Sequence, residues 1–201
     1  MRILMDNVEQ VINEKEYGSL EFLLSQLLKV IETKGRVVTS VKIDGVNLDS
    51  LSVLSMEEIE MVEVTSQNPL CLLGETVKEL SDYLDNYLNS LEEIIISLRA
   101  GERIKPLENL VDGIYGLEWI IEILKKSEEL LEFTDKKLDI IYFKVDKVLS
   151  NLIKLVEEKN YEELSIILEF SLQEALFEIK YFIPVIFEKL KLNLDEANYL
   201  N

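Results

Sequence analysis

The hydrophobic period of this chain changes once, at Asn68-Pro69, and the change decides what can form on either side. Upstream, apolar residues come in short β-branched runs separated by turn pairs. Downstream they recur at spacings of three and four to the end. A period of two lays one side of a strand against a core, and a three-and-four spacing does the same for a helix. The chain therefore reads as α+β, with two domains. A small α+β unit spans 1–66, and an antiparallel four-helix bundle spans 70–201.

In the first unit, residues 2–5 are short and apolar, Asp6-Asn7 is a turn pair, and 8–12 return as a second strand. Ser19 is placed to cap a helix over 19–34 that carries Leu20, Leu23, Leu24, Leu27, Leu28 and Ile31 on one face. Gly35 stands where a left-handed C-cap belongs. Val37, Val38, Thr39, Val41 and Ile43 then make a strand. Asp44-Gly45, between Ile43 and Val46, is the strongest hairpin signal in the chain, since a type I′ turn needs positive φ at both central residues. After a short stretch at 48–54, residues 59–65 supply a last strand with Val62 and Val64 on one face. The order strand, strand, helix, strand, turn, strand is similar to the β-grasp arrangement.

Beyond Pro69, four amphipathic stripes follow. The first, over about 70–100, is Leu73, Val77, Leu80, Leu84, Leu88, Leu91, Ile95 and Leu98, and Gly101 ends it. The second is Leu107, Leu110, Ile114, Leu117, Ile121 and Leu124, with Pro106 in its first turn. The third, after Thr134-Asp135, is Leu138, Ile141, Val145, Val148, Leu152 and Leu155. The fourth starts at Asn160, where Asn-x-x-Glu is close to a capping box. It carries Leu164, Leu168, Leu172, Ala175, Ile179, Phe182, Ile186 and Leu190, with a kink expected at Pro184. The two hairpins align in part: Leu91 and Ile95 fall on Leu152 and Val156, and Leu110, Ile114, Leu117 and Ile121 on Leu168, Leu172, Ala175 and Ile179. That pattern suggests a duplicated hairpin.

The chemistry open to the chain is narrow. It has no histidine and one cysteine, Cys71, so a Ser/His/Asp triad, a Cys/His pair and a His-ligated zinc are excluded. Cys71, beside Leu70, Leu72 and Leu73, reads as a small buried hydrophobe. A carboxylate magnesium site remains open. Glu57/Glu60 or Glu60/Glu63, followed by Glu79/Asp82, match the spacing by which all-helical nucleoside triphosphate pyrophosphohydrolases hold magnesium. The first pair, however, lies at the edge of a β-type segment, where residues three apart point to opposite faces. Among 39 acidic residues chance matches are expected, so these are read as solvated carboxylates, with no metal and no cofactor assigned.

The net charge of −18 is spread over both domains: 6 basic and 12 acidic residues in 1–66, 15 and 27 in 67–201. Such a surface repels nucleic acid, which needs clustered cations, and anionic membranes for the same reason. No uncharged apolar run reaches the ~20 residues of a membrane span, and the opening residues do not form a signal peptide. A cytoplasmic protein is expected.

Candidate partner-binding residues are Gly113, Gly116 and Trp119 on the second helix, with Phe177 and Tyr181 on the fourth. Glycine inside a helix costs ~1 kcal/mol relative to alanine, which a neighbour's close approach usually explains. The sharper reading is a groove beside Trp119. Phe177 and Tyr181, with Ile183, widen the apolar arc of the fourth helix beyond one bundle face, whereas most other aromatics are expected in the core or at its boundary.

Val41-Lys42-Ile43-Asp44-Gly45, the acidic segment 56–64 and Gly116-Leu117-Glu118-Trp119 together resemble a group of uncharacterised bacterial proteins with a β-grasp-like unit followed by an acidic helical bundle. The resemblance implies a fold and carries no catalytic residues. The expected function is a non-enzymatic protein–protein interaction module of chaperone or adaptor kind. Its partner is a basic or helical protein, or a second copy of the chain. The alternatives are an acidic immunity or antitoxin protein that masks a basic partner, and a magnesium-dependent nucleotide hydrolase.

Overall fold

A computed structural model describes residues 1–11, 17–48 and 58–199. The chain divides into two compact units, Met1–Leu72 and Leu73–Asn201. The architecture is mixed α+β: a five-stranded sheet with one helix, then, among the described residues, five further α-helices.

The sheet unit runs β1 (Arg2–Met5), β2 (Val8–Gln10), α1 (Leu20–Thr33), β3 (Val37–Ile43), β4 (Val46–Asn47) and β5 (Met61–Gln67). Strand order is β2-β1-β5-β3-β4, with β1 and β5 parallel at the centre and the other pairs antiparallel. Both hairpins turn on residues with positive φ, Asp6 (49°) and Asn7 (64°), then Asp44 (50°) and Gly45 (82°), as type I′ turns require. The register sets Ile3 beside Val62 and Met5 beside Val64, with Ile43 and Val41 opposite the same two valines. Those side chains share a face, and Leu23, Leu27 and Ile31 of α1 bury against it. Ser19 caps α1, its hydroxyl accepting from the Phe22 amide at 3.2 Å.

A polar knot closes one end of the sheet. The Asp6 carboxylate accepts from the Ser66 amide (2.6 Å) and hydroxyl (2.7 Å), while Arg36 donates to the Ser66 hydroxyl oxygen and carbonyl. The Ser66 hydrogen bonds, aided by the Arg36 charge, hold the Asp6 carboxyl below its ordinary range. Residues 49–57, which carry most of the 48–54 stretch together with Met56 and Glu57, lie outside the described residues.

The helical unit contains α2 (Pro69–Arg99), α3 (Ile104–Leu130), α4 (Lys136–Glu157), α5 (Tyr161–Ile167), a π-helical segment (Leu168–Gln173) and α6 (Glu174–Tyr199). The stripes expected for the first, third and fourth helices are buried throughout. On α3 the buried face is rotated: Leu110, Leu117 and Leu124 are joined by Ile120 and Ile123, while Ile114 and Ile121 are only half-buried. The fourth expected helix is divided. It runs without a break from Tyr161 to Tyr199, but its hydrogen bonding widens to the π pattern over Leu168–Gln173. Pro184 lies within α6, and the irregularity falls earlier, at that π turn.

Two expectations are corrected. Cys71 is exposed rather than buried. The core stripe of α2 passes through Leu73 and Val77, and a residue two positions from Leu73 points about 200° away from it. Nor do all the aromatics expected in the core or at its boundary lie there: Tyr115, Phe143 and Phe170 are 65–71% exposed, on the outer faces of helices whose leucine and isoleucine stripes already fill the interior.

Candidate functional site

The helix-interior glycines meet tyrosines. Tyr87 of α2 is buried, and its hydroxyl donates to the Gly113 carbonyl at 2.9 Å. A Cβ at Gly113 would lie 3.2 Å from that hydroxyl oxygen, and one at Gly116 would lie 1.9 Å from the Tyr83 hydroxyl oxygen and 3.0 Å from its Cζ. Tyr83 in turn stacks edge-on against Trp119, ring centres 5.1 Å apart. The two glycines thus make room for two tyrosine rings of α2, and burial pushes the Tyr87 phenol well above its ordinary range. What stays open between α2 and α3 is a cleft of about 360 Å³, walled by Tyr83, Tyr87, Ile94, Asp112 and Gly113.

Phe177 and Tyr181 lie elsewhere, on α6, beside the buried Phe182 and Ile183. Among the described residues no hydrogen bond, ion pair or ring contact joins them to Gly113, Gly116 or Trp119. Their neighbours in character are Phe170 on the π segment and Ile140 and Phe143 on α4, all exposed. Phe143 and Phe170 line one cleft of about 400 Å³ with Lys147 and Ser171. Ile140 and Tyr181 line a second, of about 420 Å³. Phe143 also borders a third and larger cleft, about 550 Å³, between α3 and α4. The sequence marks Phe143 as off the core stripe, since it stands two residues from both Ile141 and Val145.

Charge pairing differs on the two sides of α4. Toward α6, Lys144 bridges Glu178 (2.9 Å) and Glu174 (3.6 Å), which hold its ammonium above the ordinary range. Asp85 pairs with Lys180, and Arg99 meets Glu169 through both carboxylate oxygens, so α2 is tied to the long C-terminal helix. Toward α3, the Tyr142 hydroxyl donates to Glu128 at 2.7 Å and Lys125 lies 5.5 Å over the Tyr142 ring. Burial and the Glu128 carboxylate push the Tyr142 phenol far above its usual range. Glu118, Glu122 and Asp146, which rim that groove, are exposed, and among the described residues none of them forms a salt bridge, Glu122 acting on Lys126 only through its charge.

Glu60 and Glu63 belong to the sheet unit, Glu79 and Asp82 are exposed on α2, and Glu57 lies outside the described residues. Among the described residues no group of three or more metal-ligating side chains converges, and no helix is long and apolar enough to cross a membrane.

A family model described as a domain of unknown function (DUF8042) matches residues 75–181, most of the helical unit. Neither a curated protein nor a solved structure matches the chain.

Proposed function

The chain belongs to the DUF8042 family, and we propose that it is a non-enzymatic protein–protein interaction module, an adaptor or chaperone of the bacterial cytoplasm. One observation carries the reading: Ile140 and Phe143 on α4, with Phe170, Phe177 and Tyr181 on the helix beside it, are exposed, and all but Phe177 line clefts. Scattered apolar residues are normal on a surface, but several exposed aromatic side chains on neighbouring helices, with charged residues lining the same clefts, have the composition of an interface core and rim. Aromatic side chains bring large contact area at low entropic cost, so a partner gains most of its affinity there.

The finer architecture belongs to the same proposal. The strand order with a parallel central pair, and a helix after the first hairpin, support a β-grasp-like N-terminal unit. Counting Tyr161–Tyr199 as one continuous helix supports a four-helix bundle.

The test is affinity purification from the native cell with the wild-type chain and with Phe143→Ser/Phe170→Ser, followed by reconstitution from purified components. Both positions are exposed, so the variant is expected to melt as the wild type does. A protein retained by the wild type, lost by the variant and bound again in the purified pair supports the module. The same set retained by both overturns it.

A further inference from the structure

We infer that the groove between α3 and α4 is the docking site for a cationic amphipathic segment of another protein. This rests on the module reading and adds a second surface, which shares Phe143 with the α4–α6 side, and what fills it. The floor is apolar, formed by Leu117, Ile121 and Val145, and the exposed Phe143 ring stands at its edge. Its rim carries Glu118, Glu122 and Asp146 against one cation, Lys125, so three negative charges and one positive leave it at −2. Lys125 lies over the Tyr142 ring, and among the described residues no salt bridge joins it to any of the three, though Lys126 lies near enough to feel the charge of Glu122. The contrast with the other side of α4 decides the choice: there Lys144 satisfies Glu174 and Glu178, and a partner's cations would find those carboxylates already paired.

A helix laid in a groove contacts it through apolar residues at i, i+3, i+4 and i+7, with its charged residues at the margins. In this groove the apolar residues would meet Ile121, Leu149 and Phe143, and lysines or arginines at the margins would meet Glu118, Glu122 and Asp146. The net charge of −18 steers such a segment in and repels a second copy of the chain.

The experiment measures fluorescence anisotropy of a labelled Leu/Lys amphipathic helical peptide against the full chain. A Leu/Glu peptide with the same apolar face is the control. Cations collect loosely on any acidic protein, so site variants carry the decision. Glu118→Gln/Glu122→Gln/Asp146→Asn removes the rim charge. Glu79→Gln/Asp82→Asn/Glu188→Gln removes as much charge from exposed positions outside the groove. The expected result is a loss of affinity on the order of tenfold in the rim variant, with less than about a twofold change in the control variant. Phe143→Ser is expected to weaken binding as well. Equal losses in the two triple variants, or tighter binding of the Leu/Glu peptide, would overturn the proposal. If the groove fails while Phe143→Ser/Phe170→Ser still releases the cellular partner, the module reading stands without it. If the rim variant behaves as expected but no cellular protein is lost, the groove chemistry stands and the module reading falls.

Discussion

Tyr83 and Tyr87 occupy the space that glycine leaves at 116 and 113, and substitutions there read out that fit. Gly116→Leu places a side chain where the Tyr83 hydroxyl now lies. Overpacking typically costs ~1–3 kcal/mol, partly offset by the ~1 kcal/mol that glycine costs inside a helix. The Tyr83 ring is part-exposed and can swing away, but doing so loses its edge-on contact with Trp119. We therefore expect Gly116→Leu to lower stability, and Tyr83→Ala in the same chain to recover most of the loss. Urea melts on the four members of the cycle check this, with a coupling of about 1 kcal/mol or more expected and simple additivity refuting the contact. The close approach was legible in the spacing of the glycines. The residues that approach were not, because Tyr83 and Tyr87 belong to a different helix. Asp6 offers a second test at this scale. Its carboxyl is held below the ordinary aspartate value by Ser66 and Arg36, so its hydrogen bonds stabilise the fold fully above the unfolded value. That contribution is lost as pH falls through the lower folded value. The stability gap between wild type and Asp6→Asn should thus be widest above the ordinary carboxylate range and close as the pH falls below it. A gap that widens in acid would refute the assignment.

At the scale of elements, caps and turns behaved as local chemistry dictates. Ser19 accepts from the Phe22 amide, and Asn160 both accepts from the Glu163 amide and donates to its carboxylate. Ser19→Ala should destabilise the sheet unit by about 1 kcal/mol, with Ser19→Asp restoring it; thermal melts of the full chain measure both. The π turn was present in the sequence but went unread. Leu164, Leu168, Leu172 and Leu176 repeat every four residues, and all four are buried. In a regular α-helix three such steps carry a residue about 120° round the axis, off the core. The wider π turn over Leu168–Gln173 absorbs that drift and keeps the stripe facing inward. The same segment holds side chains with opposite duties. Leu168→Ala is expected to cost about 2–5 kcal/mol, since the residue is fully buried, whereas Phe170→Ala should stay within about 0.5 kcal/mol. Chemical denaturation separates the two, and a large loss at Phe170 would remove it from the open surface.

For the whole molecule, charge is the governing quantity. With 39 acidic and 21 basic residues, like charges crowd the surface and self-repulsion opposes compaction. Salt shortens the range of that repulsion to about 10 Å at 0.1 M and about 3 Å at 1 M. The melting temperature should therefore rise with sodium chloride over this range; a fall would mean that ion pairs such as Arg99–Glu169 outweigh the repulsion. The sequence by itself determined the α+β class, the break at Asn68-Pro69, the turn at Asp6-Asn7 and the I′ turn at Asp44-Gly45, the helix caps and the stripes of α2, α4 and the C-terminal helix. Each depends on residues within a turn or two of one another, where backbone sterics and a single hydrophobic period act. Only the tertiary structure decided that β1 lies beside β5, that tyrosines cover Gly113 and Gly116, and that Phe143 and Phe170 stay open while Glu118, Glu122 and Asp146 gather at the rim of one groove. Those outcomes depend on which distant segments become neighbours, and a one-dimensional period records which face of a helix is apolar but not which residues will cover it.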